Sequence, residues 1–176
     1  LSQHIGLIPF ILISPSDISF VLGGGEERRK FMDVAISQYD QTYLDALMHY
    51  NKALLQRNAL LRSEAEPDAT LLDILEDEMA RQGNVLFVKR NDFIQMLVPV
   101  FQKIYCDISD QQEEVSLRYL SHAGEGNLLE ILHAGRERDR IVGHSLHGVH
   151  RDDLEMLMGG YPLKREGSQG QLTSFV

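Results

Sequence analysis

The chain has 176 residues, 43% hydrophobic and 24% charged: enough for one domain with a real core, too few for two, and outside the usage of disordered or fibrous chains. Lys and Arg number 17 against 26 Asp and Glu, a net charge of −9, which excludes an evenly basic nucleic-acid-binding surface and leaves room only for a local one. The single Cys106 excludes an intramolecular disulfide and a multi-cysteine metal site, and it fits a reducing, cytoplasmic compartment.

Residues 5–14 form a short apolar run interrupted by Pro9 and closed by Pro15, which predicts a buried or edge strand leading to a turn at Ser16 and Asp17. The run lacks the basic flank of a signal peptide, and no apolar stretch approaches the ~20 residues that span a bilayer. After Gly23, Gly24 and Gly25, the pair Glu26 and Glu27 opens a predicted helix to about Gln38, favoured by the positive end of its dipole. Asp40 can cap the next helix, along which Tyr43, Leu47, Tyr50, Leu54 and Leu61 recur at steps of three and four or their sum. Pro67 and Asp68 break it. From Thr70 a second seam runs through Leu75, Met79, Leu86, Phe93, Leu97, Val100 and Ile104, with Gln82 and Lys89 at two seam positions and Gly83 as a local weak point. Two such helices joined by a short breaker segment predict an antiparallel hairpin.

Val115, Leu117 and Tyr119 alternate as in a strand, and Asn127 with Glu130 resembles a capping box opening a helix to about Arg138. Leu154, Met156 and Met158 alternate before Gly159 and Gly160, with Tyr161 beyond, which predicts a hairpin with a two-residue turn. The predicted class is mainly α with a small β component (α+β). It is a single domain, residues 1–176, in which a helical lobe carries a long antiparallel helical hairpin and a small sheet near the termini. The absent initiator Met and the apparent helix start at Thr173 predict an internal segment of a longer protein.

No GxxxxGK[ST] phosphate loop (Walker A) occurs, and no apolar strand ends in the Asp-Glu pair of a magnesium site (Walker B). The chain alone is therefore expected neither to hydrolyse ATP nor to hold a cofactor. Ser168, Gln169, Gly170 and Gln171 precede an apparent helix start, where a hydroxyl, a bare backbone and a helix dipole make an anion site; the plainer alternative is a polar loop with a helix cap. His144, His147 and His150 with Asp152 and Asp153 carry metal-ligand chemistry, and a metal-dependent enzyme using them is one reading. Gly143 and Gly148 argue against the helix that would gather these histidines, so loop hydrogen bonding with no metal is the preferred one. Arg28, Arg29 and Lys30, and Arg136, Arg138 and Arg140, are candidates for DNA phosphate contacts or for a solvated face. Cys106 has no base beside it to make it a nucleophile. By themselves the helical seams equally support a stand-alone helical protein-interaction module.

Several stretches, in order, resemble the RecF family of bacterial recombination proteins. Ser14-Pro15-Ser16-Asp17, then Gly23 through Arg28-Arg29-Lys30-Phe31-Met32-Asp33, is similar to its SP-x-D and G-x-P-x-x-RR-x-F-L-D signature. Residues 50–61 resemble its helical stretch, and Gly148-Val149-His150-Arg151-Asp152-Asp153-Leu154 its G-x-HRDDL segment. Ser168, Gln169, Gly170 and Gln171 fall at its ABC-type signature loop. The chain departs from the pattern at Gly25, Gln41 and Leu75. The resemblance implies an SMC/ABC-type ATPase that binds ATP and magnesium as an ATP-dependent homodimer, with slow DNA-dependent ATPase activity. It implies binding to double-stranded or gapped DNA, partnership with RecO and RecR in recombinational repair and the SOS response, and no membrane. Ser168 and Gly170 would meet the γ-phosphate of the partner protomer's nucleotide, and Ser14 and Asp17 would lie in the loop linking nucleotide site to helical lobe. Arg28, Arg29, Lys30, His150 and Arg151 would contact DNA or brace the lobe.

Overall fold

Asp40 accepts a hydrogen bond from the Tyr43 amide at 3.0 Å and so caps the helix its sequence position predicts. In the computed structural model, which describes residues 19–109 and 114–166, that helix is α3 (Gln41–Leu61). It follows α1 (Ser19–Leu22) and α2 (Gly25–Ser37). Asp68 then accepts from the amides of Thr70 and Leu71 and opens α4 (Ala69–Ile108). α3 and α4 form the antiparallel hairpin. The predicted strand at residues 5–14, Ser14 and Asp17, and the loop of Ser168, Gln169, Gly170 and Gln171 lie outside the described residues.

Three strands, β1 (Val115–Leu120), β2 (Asp153–Met158) and β3 (Tyr161–Pro162), make an antiparallel sheet in the order β1-β2-β3. Val115 pairs with Met158 and Leu120 with Asp153. Gly159 and Gly160, at φ 56° and 83°, form the turn of the β2–β3 hairpin. Between β1 and β2 lies α5 (Leu128–Val142), capped by Asn127 through the Leu129 amide at 3.0 Å. A final turn, α6 (Leu163–Glu166), follows. The observed class is the α+β arrangement expected.

Tyr43, Tyr50 and Leu61 of α3 meet Leu75, Met79 and Leu86 of α4 in the main core, joined by Met32 and Ile36 of α2, Leu128 and Leu132 of α5, and Leu154 of β2. Each fully buried Leu or Met there stabilises the fold by about 1.5–3 kcal/mol. α4 runs through Gly83 without a break, and a Cβ there would stand 2.6 Å from Leu128 Cδ2 and 3.4 Å from Tyr50 Cε2. Its bareness lets α5 approach. A second cluster joins Val21 of α1, Tyr105 of α4, Val115, Met156 and Leu163.

The structure departs from the sequence pattern in three places. Gln82 and Lys89 do not fill the second seam; Gly83 and Arg90, one position on, are buried in their stead. Val100 and Ile104 are 55% and 53% exposed. A strict heptad drifts by about 20° per repeat around a straight helix, and α3, at 21 residues, cannot run alongside the whole of the 40-residue α4. Finally, α5 continues past Arg138 to Val142, where Gly143 at φ 77° ends it with its amide on Asp139 O at 2.7 Å.

Candidate functional site: the loop at residues 148–154

This loop carries the histidine and the paired aspartates singled out in the sequence, and α2, α3, α4 and β1 hold it. Gly148 sits at φ 127°, where a Cβ would lie 2.4 Å from Tyr50 Oη and 3.0 Å from His150 Nδ1, so only glycine fits. A 3-10 turn, Val149–Arg151, follows. The His150 ring bridges two elements, with Nδ1 2.8 Å from Tyr50 Oη and Nε2 3.1 Å from Ser145 O. A carbonyl only accepts, so Nε2 carries the proton and Nδ1 accepts from Tyr50. Burial holds the ring neutral and pushes its pKa down to about 4, with Arg151, Arg29 and His122 acting in the same direction.

Asp152 and Asp153 are each taken by an arginine. Arg90, 2% exposed, donates to Asp152 Oδ2, Val149 O and Asp33 Oδ1, all at 2.8 Å, and to Tyr43 Oη at 2.9 Å. Tyr119 of β1 also donates to Asp152. Burial raises the Asp152 carboxyl pKa, while Arg90 and the Ser121 and Tyr119 hydroxyls oppose that shift. Arg28 grips Asp153 with two parallel bonds, Nε to Oδ1 at 2.6 Å and Nη2 to Oδ2 at 3.1 Å. Its Nη1 reaches Phe20 O at 2.7 Å. Arg29 donates to Asp152 O at 2.7 Å, and Arg151 to Ser145 O at 3.1 Å. Lys30 and Arg151 are exposed, Arg29 is half-buried and Arg28 is buried.

A second buried network abuts the first at Ser145. Arg57, with no exposed surface, donates from Nε to Glu76 Oε1 at 2.9 Å, and from Nη1 to Asp139 Oδ2 and Ser145 Oγ at 2.7 Å each. Ser145 Oγ donates in turn to Asn58 Oδ1 at 2.8 Å. Arg136 donates to Glu76 and Asp73, and Arg140 to Ala65 O, so two of the three basic residues of α5 brace the hairpin.

The histidines are not gathered on one point: His150 is bound as described, and His147 meets His122 ring to ring at 5.1 Å. Among the described residues a metal-sized grouping occurs elsewhere, at Asp73, Glu76 and His133. The guanidinium groups of Arg57 and Arg136 already occupy Glu76 there, and their charge opposes a cation. No motif in the sequence marks the buried pairing of Arg57 and Arg90 with Asp33, Glu76, Asp139 and Asp152. One signal was available: Arg57 lies seven residues beyond Tyr50, and Arg90 four beyond Leu86, so each is a charge at a core position of an amphipathic helix.

No family model matches the chain. Over all 176 residues it is 54% identical to the DNA replication and repair protein RecF of Phocaeicola vulgatus. It is 52% identical to that of Bacteroides fragilis and 45% to that of Porphyromonas gingivalis. The chain belongs to the RecF family. It spans about half the length of these RecF relatives, 47% of the first and 48% of the other two. The solved structure of the recombination mediator protein RecF-ATPrS in the RecFOR pathway superposes on 99% of the chain with a TM-score of 0.90 at 29% identity, covering 50% of that RecF. The RecF-ATP structure of the same pathway covers 97% of the chain with a TM-score of 0.87 at 28% identity.

Proposed function

We propose that this chain is the helical lobe, a single domain, of a RecF-type DNA-repair protein that binds ATP and DNA as an ATP-dependent homodimer. The observation that carries the reading is the match over nearly the whole chain to a RecF structure solved with ATPrS. In this proposal Ser168, Gln169, Gly170 and Gln171 form the signature loop that meets nucleotide held by the partner protomer. The Ser168 hydroxyl and the Gly170 amide grip its γ-phosphate. Ser14 and Asp17 link the nucleotide site to the lobe, and magnesium is held by parts of the protein beyond this chain. The complete protein is a slow DNA-dependent ATPase of the cytoplasm. It acts on double-stranded or gapped DNA with RecO and RecR.

Within the basic set, exposed Lys30 and Arg151 are the DNA candidates, with half-buried Arg29 at their margin. Arg28 and His150 brace the lobe, because each has its polar atoms engaged inside the protein. Among the described residues no helix is long and apolar enough to cross a membrane.

The experiment is light scattering of a RecF-length protein containing this chain, with and without ATP, for the parent and for Ser168→Arg. The expected result is that both bind ATP and only the parent dimerises. Equal dimerisation of the two removes Ser168 and its neighbours from the interface.

A further inference from the structure

The last third of α4 leaves a continuous apolar ridge in the open. Met96, Val100, Ile104 and Ile108 recur every four residues and are 60%, 55%, 53% and 61% exposed. Pro99 lies beside them, also exposed. Elsewhere on the hairpin the exposed large apolar residues, Met48, Leu55, Leu71, Ile74 and Val88, do not build such a row. Four residues at that step make one ridge about 18 Å long, of the kind that seats in the groove of another helix. Scattered apolar side chains on a surface need no explanation, but a contiguous row does.

Two observations bear on what would cover it. The second core cluster packs Val21 of α1 and Leu163 of α6 against Tyr105, so both α1 and α6, the first and last described elements, converge on this end of α4. The relatives are about twice as long as this chain, so roughly half of a RecF-length polypeptide lies outside it. We infer that the Met96, Val100, Ile104 and Ile108 ridge is an intramolecular interface that packs against the portion of a RecF-length protein outside these 176 residues. That portion presents an apolar helix or sheet face. The inference rests on the length of the relatives and not on ATP use, so a failed dimerisation assay leaves it standing.

The test is cysteine alkylation of the RecF-length protein in a Cys106→Ala background, with Val100→Cys and Ile104→Cys as probes. Leu55→Cys, at a position 70% exposed on α3, is the reference. Rates are divided by those in urea, and circular dichroism checks that each variant is folded. At nanomolar to micromolar protein, labelling of both probes is expected to be at least about tenfold slower than the reference, at a rate independent of protein concentration. Labelling as fast as Leu55→Cys overturns the inference. Protection that appears only as concentration or ATP rises also overturns it, and assigns the ridge to a second copy.

Discussion

Replacing Arg57 with leucine tests whether the buried charge network holds α3, α4 and α5 together. Arg57, Glu76 and Asp139 have no exposed surface, and Ser145 is 1% exposed. The change leaves Asp139 and one Glu76 oxygen without their cationic donor in a site water does not reach. Breaking a buried pair on one side costs about 3–5 kcal/mol. The lower end applies, because Glu76 still accepts from Arg136 and Asp139 from the Leu146 amide at 2.9 Å. In a domain of this size that loss lowers Tm by roughly 6–12 °C. Urea unfolding followed by circular dichroism gives the free energy, and a thermal scan gives Tm. A double-mutant cycle with Asp139→Leu separates the pair from its surroundings: the double variant should be more stable than the sum of the singles predicts, since two apolar groups replace two charges. Arg57→Leu within about 0.5 kcal/mol of the parent, the range of a neutral surface change, refutes the argument, as does strict additivity in the cycle.

Three further outcomes follow from the loop. His150 is held neutral with a pKa near 4 against an ordinary 6.5, so the unfolded chain takes up its proton first as pH falls. The stabilisation from the neutral ring is complete above about 6.5 and is lost as pH drops toward 4, by up to about 1.4 kcal/mol per pH unit; urea midpoints across that range should show this slope reduced in His150→Gln. Gly148→Ala should destabilise by about 2–4 kcal/mol through backbone strain and the clash with Tyr50, and adding Tyr50→Phe should restore only the part due to the hydroxyl. Gly83→Ala should lose stability despite alanine's advantage of about 1 kcal/mol in a helix, and calorimetry should show that increment largely absent when the same change is made in a Leu128→Ala background, since Leu128 Cδ2 is the atom in the way.

Local signals survived folding wherever one segment supplied both halves of an interaction. Asp40, Asp68 and Asn127 cap the helices that begin beside them. Glycines close the β2–β3 turn, and Tyr43, Tyr50, Met79 and Leu86 face inward at the seam spacing. Short-range hydrogen bonds and periodic burial depend only on neighbours in sequence, which is why they can be read there. The RR and DD pairs were likewise visible as chemistry before any partner was known.

The pairing of those charges came only with the tertiary structure. Arg28 and Asp153 are 125 residues apart in the chain, Arg90 and Asp152 are 62 apart, and Arg57 and Asp139 are 82 apart. Nothing local distinguishes a guanidinium that will meet a carboxylate in the core from one that will stay in water; that is decided by which helix faces pack together. The same holds for the apolar side of α4. Its heptad pattern continues unchanged into Val100 and Ile104, but α3 is shorter than α4 and does not reach them, and burial passes to the neighbouring face at Tyr105, where α1, α6 and the sheet pack. Sequence alone determined where α3, α4 and α5 start and that they carry apolar faces, because those depend on neighbouring residues. Tertiary structure decided which faces and charges find partners, because that depends on residues brought together from distant parts of the chain.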